Sequence, residues 1–164
     1  MPETKHKLVV TLPSDLEIQL TREFDFPREL VFRAFTSCEH YARWWGCESM
    51  ELVDCSMDFK VGGHWRRSLK MPDGTVHPFK GEFLAIRAPE TISQTFIYDV
   101  DFIRDFPSTE TMVLSEANGR TTLTATVKHL SKEARDGHLQ SGMEAGASET
   151  YDRLESLLAE WEAK

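Results

Sequence analysis

Leu139-Gln-Ser-Gly-Met-Glu-Ala-Gly-Ala-Ser-Glu-Thr-Tyr-Asp-Arg-Leu-Glu-Ser-Leu-Leu-Ala-Glu-Trp161 is the stretch on which the fold turns. Leu139, Met143, Gly146, Ala147, Thr150, Tyr151, Leu154, Leu157, Leu158 and Trp161 recur at spacings of three and four. At ~100° per residue they make one apolar stripe, while Ser141, Glu149, Asp152, Glu155, Glu160 and Glu162 fall elsewhere. No proline interrupts the pattern, so one long helix over 139–161 is expected, a rod of roughly 35 Å at ~1.5 Å per residue. Its stripe must lie across something apolar. Burial of each large side chain is worth at most ~1.5–3 kcal/mol. That outweighs the ~1 kcal/mol that Gly142 and Gly146 each cost relative to alanine. These glycines serve either close packing on a neighbouring backbone or space for a ligand.

Upstream, the pattern changes period. Leu16, Ile18, Leu20 and Phe24 alternate with Glu17, Gln19, Thr21 and Glu23, the signature of a half-buried strand. Pro27 and Glu29 suit the start of a short helix, and Ser37 suits the cap of a second that ends at Gly46. Six strands follow, punctuated by Val61-Gly-Gly-His64, Pro72-Asp-Gly74, Ala88-Pro89 and Asn118-Gly119. Between the fourth and fifth, residues 99–108 form a partly apolar loop with Phe102, Ile103 and Phe106. Ser131 offers a further helix cap, and Gly137 is expected to break or bend the first helical turn. Residues 1–12 read as a tail in which Leu8–Leu12 has room for a short strand. Hairpin-connected strands imply a mostly antiparallel sheet. Helices gathered on one face make the chain α+β, with one domain over 13–164.

Composition narrows the partners. The 164 residues carry a formal net charge of −8, which argues against nucleic acid or an anionic membrane as partner. No run of 18 apolar residues marks a transmembrane helix, and the five largely apolar residues before Pro13 are too few for a secretory leader. Cys38, Cys47 and Cys55 are odd in number and lack CxxC spacing, so all three are expected reduced, in a cytoplasmic protein.

The order of elements, with Phe24-Asp-Phe-Pro-Arg-Glu-Leu-Val-Phe-Arg-Ala-Phe-Thr36, His40 to Trp44-Trp45-Gly46, Gly62-Gly63-His-Trp65-Arg66, Pro72-Asp-Gly74, Gly81 with Pro89-Glu90, Gly119-Arg-Thr-Thr-Leu123 and Gly142-Met143-Glu-Ala-Gly146, resembles the helix-grip (START-like, SRPBCC) superfamily. Within it the chain is similar to the AHSA-like family, that of the C-terminal domain of the activator of the 90-kDa heat-shock-protein ATPase. Gly146-Ala147 departs from the Gly-Trp that stand-alone members often carry. The resemblance implies a curved antiparallel sheet of six or seven strands around the long C-terminal helix, with two short helices after the first strand. Members bind apolar small molecules, cyclise polyketides or contact proteins. The activator's additional N-terminal domain has no counterpart in this length, which weakens any carry-over of chaperone activation or of a stress-response role.

Chemistry is sparse in the sequence. There is no G-x-S-x-G elbow, HExxH, phosphate loop or dinucleotide fingerprint, and the six histidines lack metal-ligand spacing. No catalytic residue, metal or cofactor is therefore assigned. Arg67 stands out, because it shares strand parity with Trp65, Leu69 and Met71. A guanidinium facing an apolar space needs a carboxylate such as Asp58 or Glu82, or an anionic ligand group. The alternative is that it snorkels at the strand's edge. The expected function is binding of a small apolar molecule, with room for an anionic group, in a cavity between sheet and C-terminal helix. The expected lining is Trp45, Phe59, Trp65, Arg67, Phe83, Phe96, Met143, Gly146 and Thr150. Two other classes compete. A cyclase- or hydrolase-type enzyme would use Arg67 or His64 to polarise a carbonyl. A protein-interaction module, as chaperone cofactor or homodimer, would expose an apolar patch at Phe102, Ile103 and Phe106.

Overall fold

Alternation of apolar and polar residues along the chain's strands builds a sheet with one buried face. A computed structural model of the protein describes residues 6–163. Its elements are β1 (Val9–Thr11), β2 (Glu17–Phe24), α1 (Arg28–Arg33), α2 (Cys38–Trp44), β3 (Glu51–Met57), β4 (His64–Lys70), β5 (Val76–Arg87), β6 (Thr91–Tyr98), β7 (Ser108–Ala117), β8 (Arg120–Lys128), α3 (Lys132–Leu139) and α4 (Met143–Glu162). The sheet runs β1-β2-β8-β7-β6-β5-β4-β3, every neighbour antiparallel. It has eight strands where six or seven are expected. The eighth is β1, formed inside the stretch read as a tail and paired with β2 through Val9–Thr21.

Period-two patterning places Ile18, Leu20 and Phe24 of β2, Leu123, Ala125 and Val127 of β8, and Met112 and Leu114 of β7 in the core. Irregular pairing in β3 after Leu52 and in β5 after Phe83 interrupts the ladders, the kind of feature that bends a strand. α4 adds Leu154, Leu157 and Leu158 to the core from its apolar stripe. The buried Arg22 of β2 ties helix to sheet, donating to Asp152 at 2.8 Å and to Glu155 at 3.2 Å.

Local signals behave as their chemistry dictates. The Ser37 hydroxyl accepts from the backbone N–H of His40, and the Ser131 hydroxyl from that of Ala134. Asn118 and Gly119 both take positive φ, 56° and 75°, as a type I′ hairpin turn requires. Two expectations need correction. The C-terminal helix is not continuous over 139–161, because the helical run is interrupted between Leu139 and Met143. Gly142 caps α4 at φ 85°, a left-handed conformation that ends helical hydrogen bonding and favours glycine. Gly137, by contrast, sits inside α3 without interrupting it.

The thiols also depart from expectation. Cys38 and Cys55 form a disulfide, and Cys47 alone is free. Their separation of 17 residues hides the pairing in the sequence, and β3 returning beside the start of α2 creates it. Cys38 is the first residue of α2, and Cys55 lies opposite Arg67 in the β3–β4 register.

Candidate functional site

Arg67 is the centre. It lies mid-strand on β4, and its inward parity leaves the side chain 1% exposed. Snorkelling is thereby excluded. The two carboxylates considered as partners are elsewhere: Asp58 pairs with Lys60, and Glu82 lies 4.0 Å from His64. Aromatic faces surround the guanidinium instead. Its central carbon sits 3.9 Å from the Tyr41 ring centre, 4.0 Å from that of Trp65 and 5.0 Å from that of Trp45. Desolvated contacts of this type are worth up to ~2 kcal/mol each. They do not satisfy hydrogen bonds, and Nε and Nη2 of Arg67 have no acceptor among the described residues. Each unmet buried donor costs about 1–3 kcal/mol. Burial also lowers the arginine's pKa, partly opposed by Tyr41 and Glu110.

Around this cation lies a polar row that the sequence reading missed. Gln94 of β6 donates from Nε2 to Glu110 of β7 at 3.0 Å, and these two residues are register partners. The Gln94 carbonyl oxygen and the Trp65 indole N–H are buried without partners. Burial pushes the Glu110 carboxyl above the usual carboxylate range, although the Gln94 hydrogen bond and the Arg67 charge pull the other way. Burial raises the Tyr41 phenol as well, against the pull of Arg67. Tyr151 of α4 is raised far more strongly, by burial first and then by Glu110 and Tyr41. The signal for this row was present: Gln94 and Glu110 occupy the inward parity of strands whose other inward residues are Ile92, Met112 and Leu114.

The nine expected lining residues divide. Trp45, Trp65, Arg67 and Phe96 gather in one cluster. Trp65 packs on Phe96 at 5.3 Å between ring centres, and Trp45 on Phe79 at 5.6 Å. Gly81 makes this arrangement feasible, since a Cβ there would lie 2.7 Å from the Trp65 ring. Phe59 and Phe83 form a neighbouring pair, centres 5.1 Å apart, with Phe32 against Phe59. Met143, Gly146 and Thr150 are half-buried along α4. A Cβ at Gly146 would meet nothing within 4 Å, so close packing is not why glycine stands there.

Other features lie outside. His64 is 78% exposed and, three residues from Arg67, points to the opposite face of β4. An open groove on that outer face is lined by His64, Arg66, Lys80, Glu82, Thr95 and Ile97. A second concavity sits at the β7–β8 hairpin, with Glu23, Glu116 and Arg120. Phe102 is 91% exposed on the β6–β7 loop, with Ile103 and Phe106 exposed beside it. Among the described residues no group of three or more metal-binding side chains occurs, and no helix is long and apolar enough to cross a membrane.

Residues 25–159 match the family described as Activator of Hsp90 ATPase homolog 1-like protein. A Rhodobacter sphaeroides protein is similar in structure with a TM-score of 0.86 and 24% identity, covering 93% of this chain and 98% of its own. A Nitrosomonas europaea protein gives 0.82 and 25%, with 93% and 100% covered. The AHSA1 protein of Silicibacter pomeroyi gives 0.71 and 20%, with 87% and 97% covered. At these identities the neighbours speak for the fold. No curated protein matches the sequence. The chain belongs to the Activator of Hsp90 ATPase homolog 1-like family, with its α+β helix-grip fold.

Proposed function

We propose that this family member holds a small, largely apolar molecule between its curved sheet and α4, with the molecule's polar end at Arg67. The observation that carries this reading is a fully buried guanidinium with two N–H groups that meet no acceptor among the described residues. A buried charge is normally paired and hydrogen-bonded. A ligand supplies what the protein omits.

Two further observations support an internal space. Glu110 and Tyr151 lie deep in the protein, yet both keep accessible surface. Deep side chains with accessible surface are what a wall beside open space presents, whereas Arg67 and Trp65, 1% and 0% exposed, are closed over, so a ligand reaches them only as neighbouring side chains part. The open space that a Cβ at Gly146 would meet is compatible with the same reading at α4. Trp45, Phe96 and Met143 then supply the apolar walls, and Phe59, Phe83 and Thr150 the more distant ones.

Native mass spectrometry of freshly purified protein tests the reading, beside titration with the neutral apolar dye Nile red. A co-purified small molecule, or saturable dye binding at one site, is the expected result. A bare mass together with no saturable dye binding would sink it.

A second reading has its own observation. The exposed Phe102, Ile103 and Phe106 are the apolar patch expected of a protein-contact surface. A stable homodimer in solution that Phe102→Ser abolishes would favour it. The enzyme reading is weaker, because His64 and Arg67 face opposite sides of the sheet. The cytoplasm stays our proposed compartment, with a condition set by the disulfide: in a reducing environment Cys38 and Cys55 stand as a dithiol. Alkylation of the thiols at cell lysis reports that state.

A further inference from the structure

We infer that the ligand is an apolar monocarboxylic acid, its carboxylate held bidentately by the Nε–Nη2 edge of Arg67. This inference rests on the internal binding space proposed above and adds the chemistry of the head group.

The unsatisfied atoms are specific. Nε and Nη2 are the two nitrogens on the side edge of a guanidinium, the edge turned away from the arginine's own Cδ. Their N–H bonds run nearly parallel, with the spacing of two carboxylate oxygens. Both are buried, and both lack partners among the described residues. Arg67 itself is 1% exposed, so water at the surface does not meet them. The Trp65 indole N–H is a third buried donor without an acceptor. It belongs to the ring whose centre lies 4.0 Å from the guanidinium carbon. Donors therefore predominate around Arg67, which selects a ligand rich in acceptors.

Charge then limits the choice. Of the two buried arginines that act on this interior group, Arg22 is paired with Asp152 and Glu155, which leaves Arg67 as the one without an ion pair among the described residues. Burial raises the pKa of Glu110, the nearby carboxyl, against the pull of its Gln94 hydrogen bond and of the Arg67 charge. A single negative charge matches the single guanidinium edge left without an acceptor. A phosphate dianion would leave a net negative charge among aromatic walls, where desolvation makes it costly. A neutral alcohol or ester would leave the guanidinium uncompensated. The aromatic surroundings at Trp45, Phe79 and Phe96 suit the apolar remainder of such an acid.

The test is a head-group series on one chain. Decanoate, 1-decanol, methyl decanoate and decyl phosphate are titrated against wild-type protein preloaded with Nile red, and directly by calorimetry. Decanoate should bind tighter than decanol or the ester by about tenfold or more, the scale of charged hydrogen bonds. It should also bind tighter than decyl phosphate. Arg67→Met should erase that preference. Arg67→Lys, a point charge without the parallel donor pair, should recover only part of it, and circular dichroism reports whether each variant is folded. If decanol binds as well as decanoate, the inference falls and the apolar cavity stands. Tighter binding of decyl phosphate likewise overturns the carboxylate assignment. If neither dye nor any member of the series binds, the cavity reading fails and the inference with it. The wild-type series decides the matter even if both variants misfold.

Discussion

Replacing Gly146 by leucine separates a glycine kept for space from one kept for packing. The residue is the fourth of α4, with an ordinary helical conformation and its N–H bonded to Gly142 at 3.2 Å. Removing a glycine from a helix interior gains about 0.8 kcal/mol. No atom lies within 4 Å of the added Cβ, so the clash that makes overpacking costly is absent at that atom. A leucine at this half-buried position removes part of its side chain from water, adding about 1 kcal/mol of the full ~1.5–3. The sum is a stabilisation of about 1–2 kcal/mol, or roughly 2–8 °C in Tm for a chain of this length. The leucine also occupies volume that a ligand would use, so Nile red should bind more weakly. Urea denaturation midpoints and dye titration of wild type and variant are the assay. A lower midpoint would mean overpacking at ~1–3 kcal/mol and would refute the reasoning from space. A higher midpoint with unchanged dye binding would place the leucine outside any cavity.

The disulfide closes a loop of separation 17, so its loss should cost ~3 kcal/mol. Differential scanning calorimetry should show Tm falling by roughly 6–12 °C in reductant, or in a Cys38→Ser/Cys55→Ser variant; an unmoved Tm would mean the pair is open in solution. Glu110 is held above its usual range in the fold, so the folded state binds its proton more tightly than the unfolded chain. Its contribution is complete at acid pH and is lost as pH rises from the ordinary carboxylate range through the folded value. Glu110→Gln should therefore be more stable than wild type at neutral pH, with the advantage shrinking toward pH 4 in urea titrations. His138 moves oppositely: burial, with help from His129, brings it down to about 4. Stability from this neutral histidine is complete above its ordinary value of ~6.5 and falls by up to about 3 kcal/mol as pH drops toward 4. A His138→Gln variant should lose that acid dependence, as denaturation midpoints between pH 4 and 7 will report.

Periodicity made most of the fold legible. The alternation from Leu16 to Phe24 is β2, and the stripe from Met143 to Trp161 is α4. The caps at Ser37 and Ser131 and the turn at Asn118–Gly119 act through local chemistry, which a sequence displays directly. The break at Gly142 was harder, because the apolar spacing continues across it from Leu139 to Met143. Only the backbone angle at one glycine separates the two helices. Arg67 was legible as an inward charge, since strand parity fixes its face. Its surroundings were not. Tyr41 reaches it from α2, Glu110 acts on it from β7, and Gln94 reaches Glu110 across a strand pair. Such meetings depend on the order of strands in the sheet, which local pattern does not encode. The Cys38–Cys55 disulfide was hidden for the same reason.

The most direct measurement of the central claim is nuclear magnetic resonance of two side-chain protons, the Arg67 Nε–H and the Trp65 indole N–H, during titration with decanoate. Assignment follows from Arg67→Lys and Trp65→Phe. Both protons lack an acceptor among the described residues and lie within the buried interior. The account predicts that both resonances move downfield and saturate together with one equivalent of ligand. Resonances of the exposed loop around Phe102 should stay in place. Shifts confined to the outer surface, with the Arg67 and Trp65 protons unmoved at saturation, would contradict it.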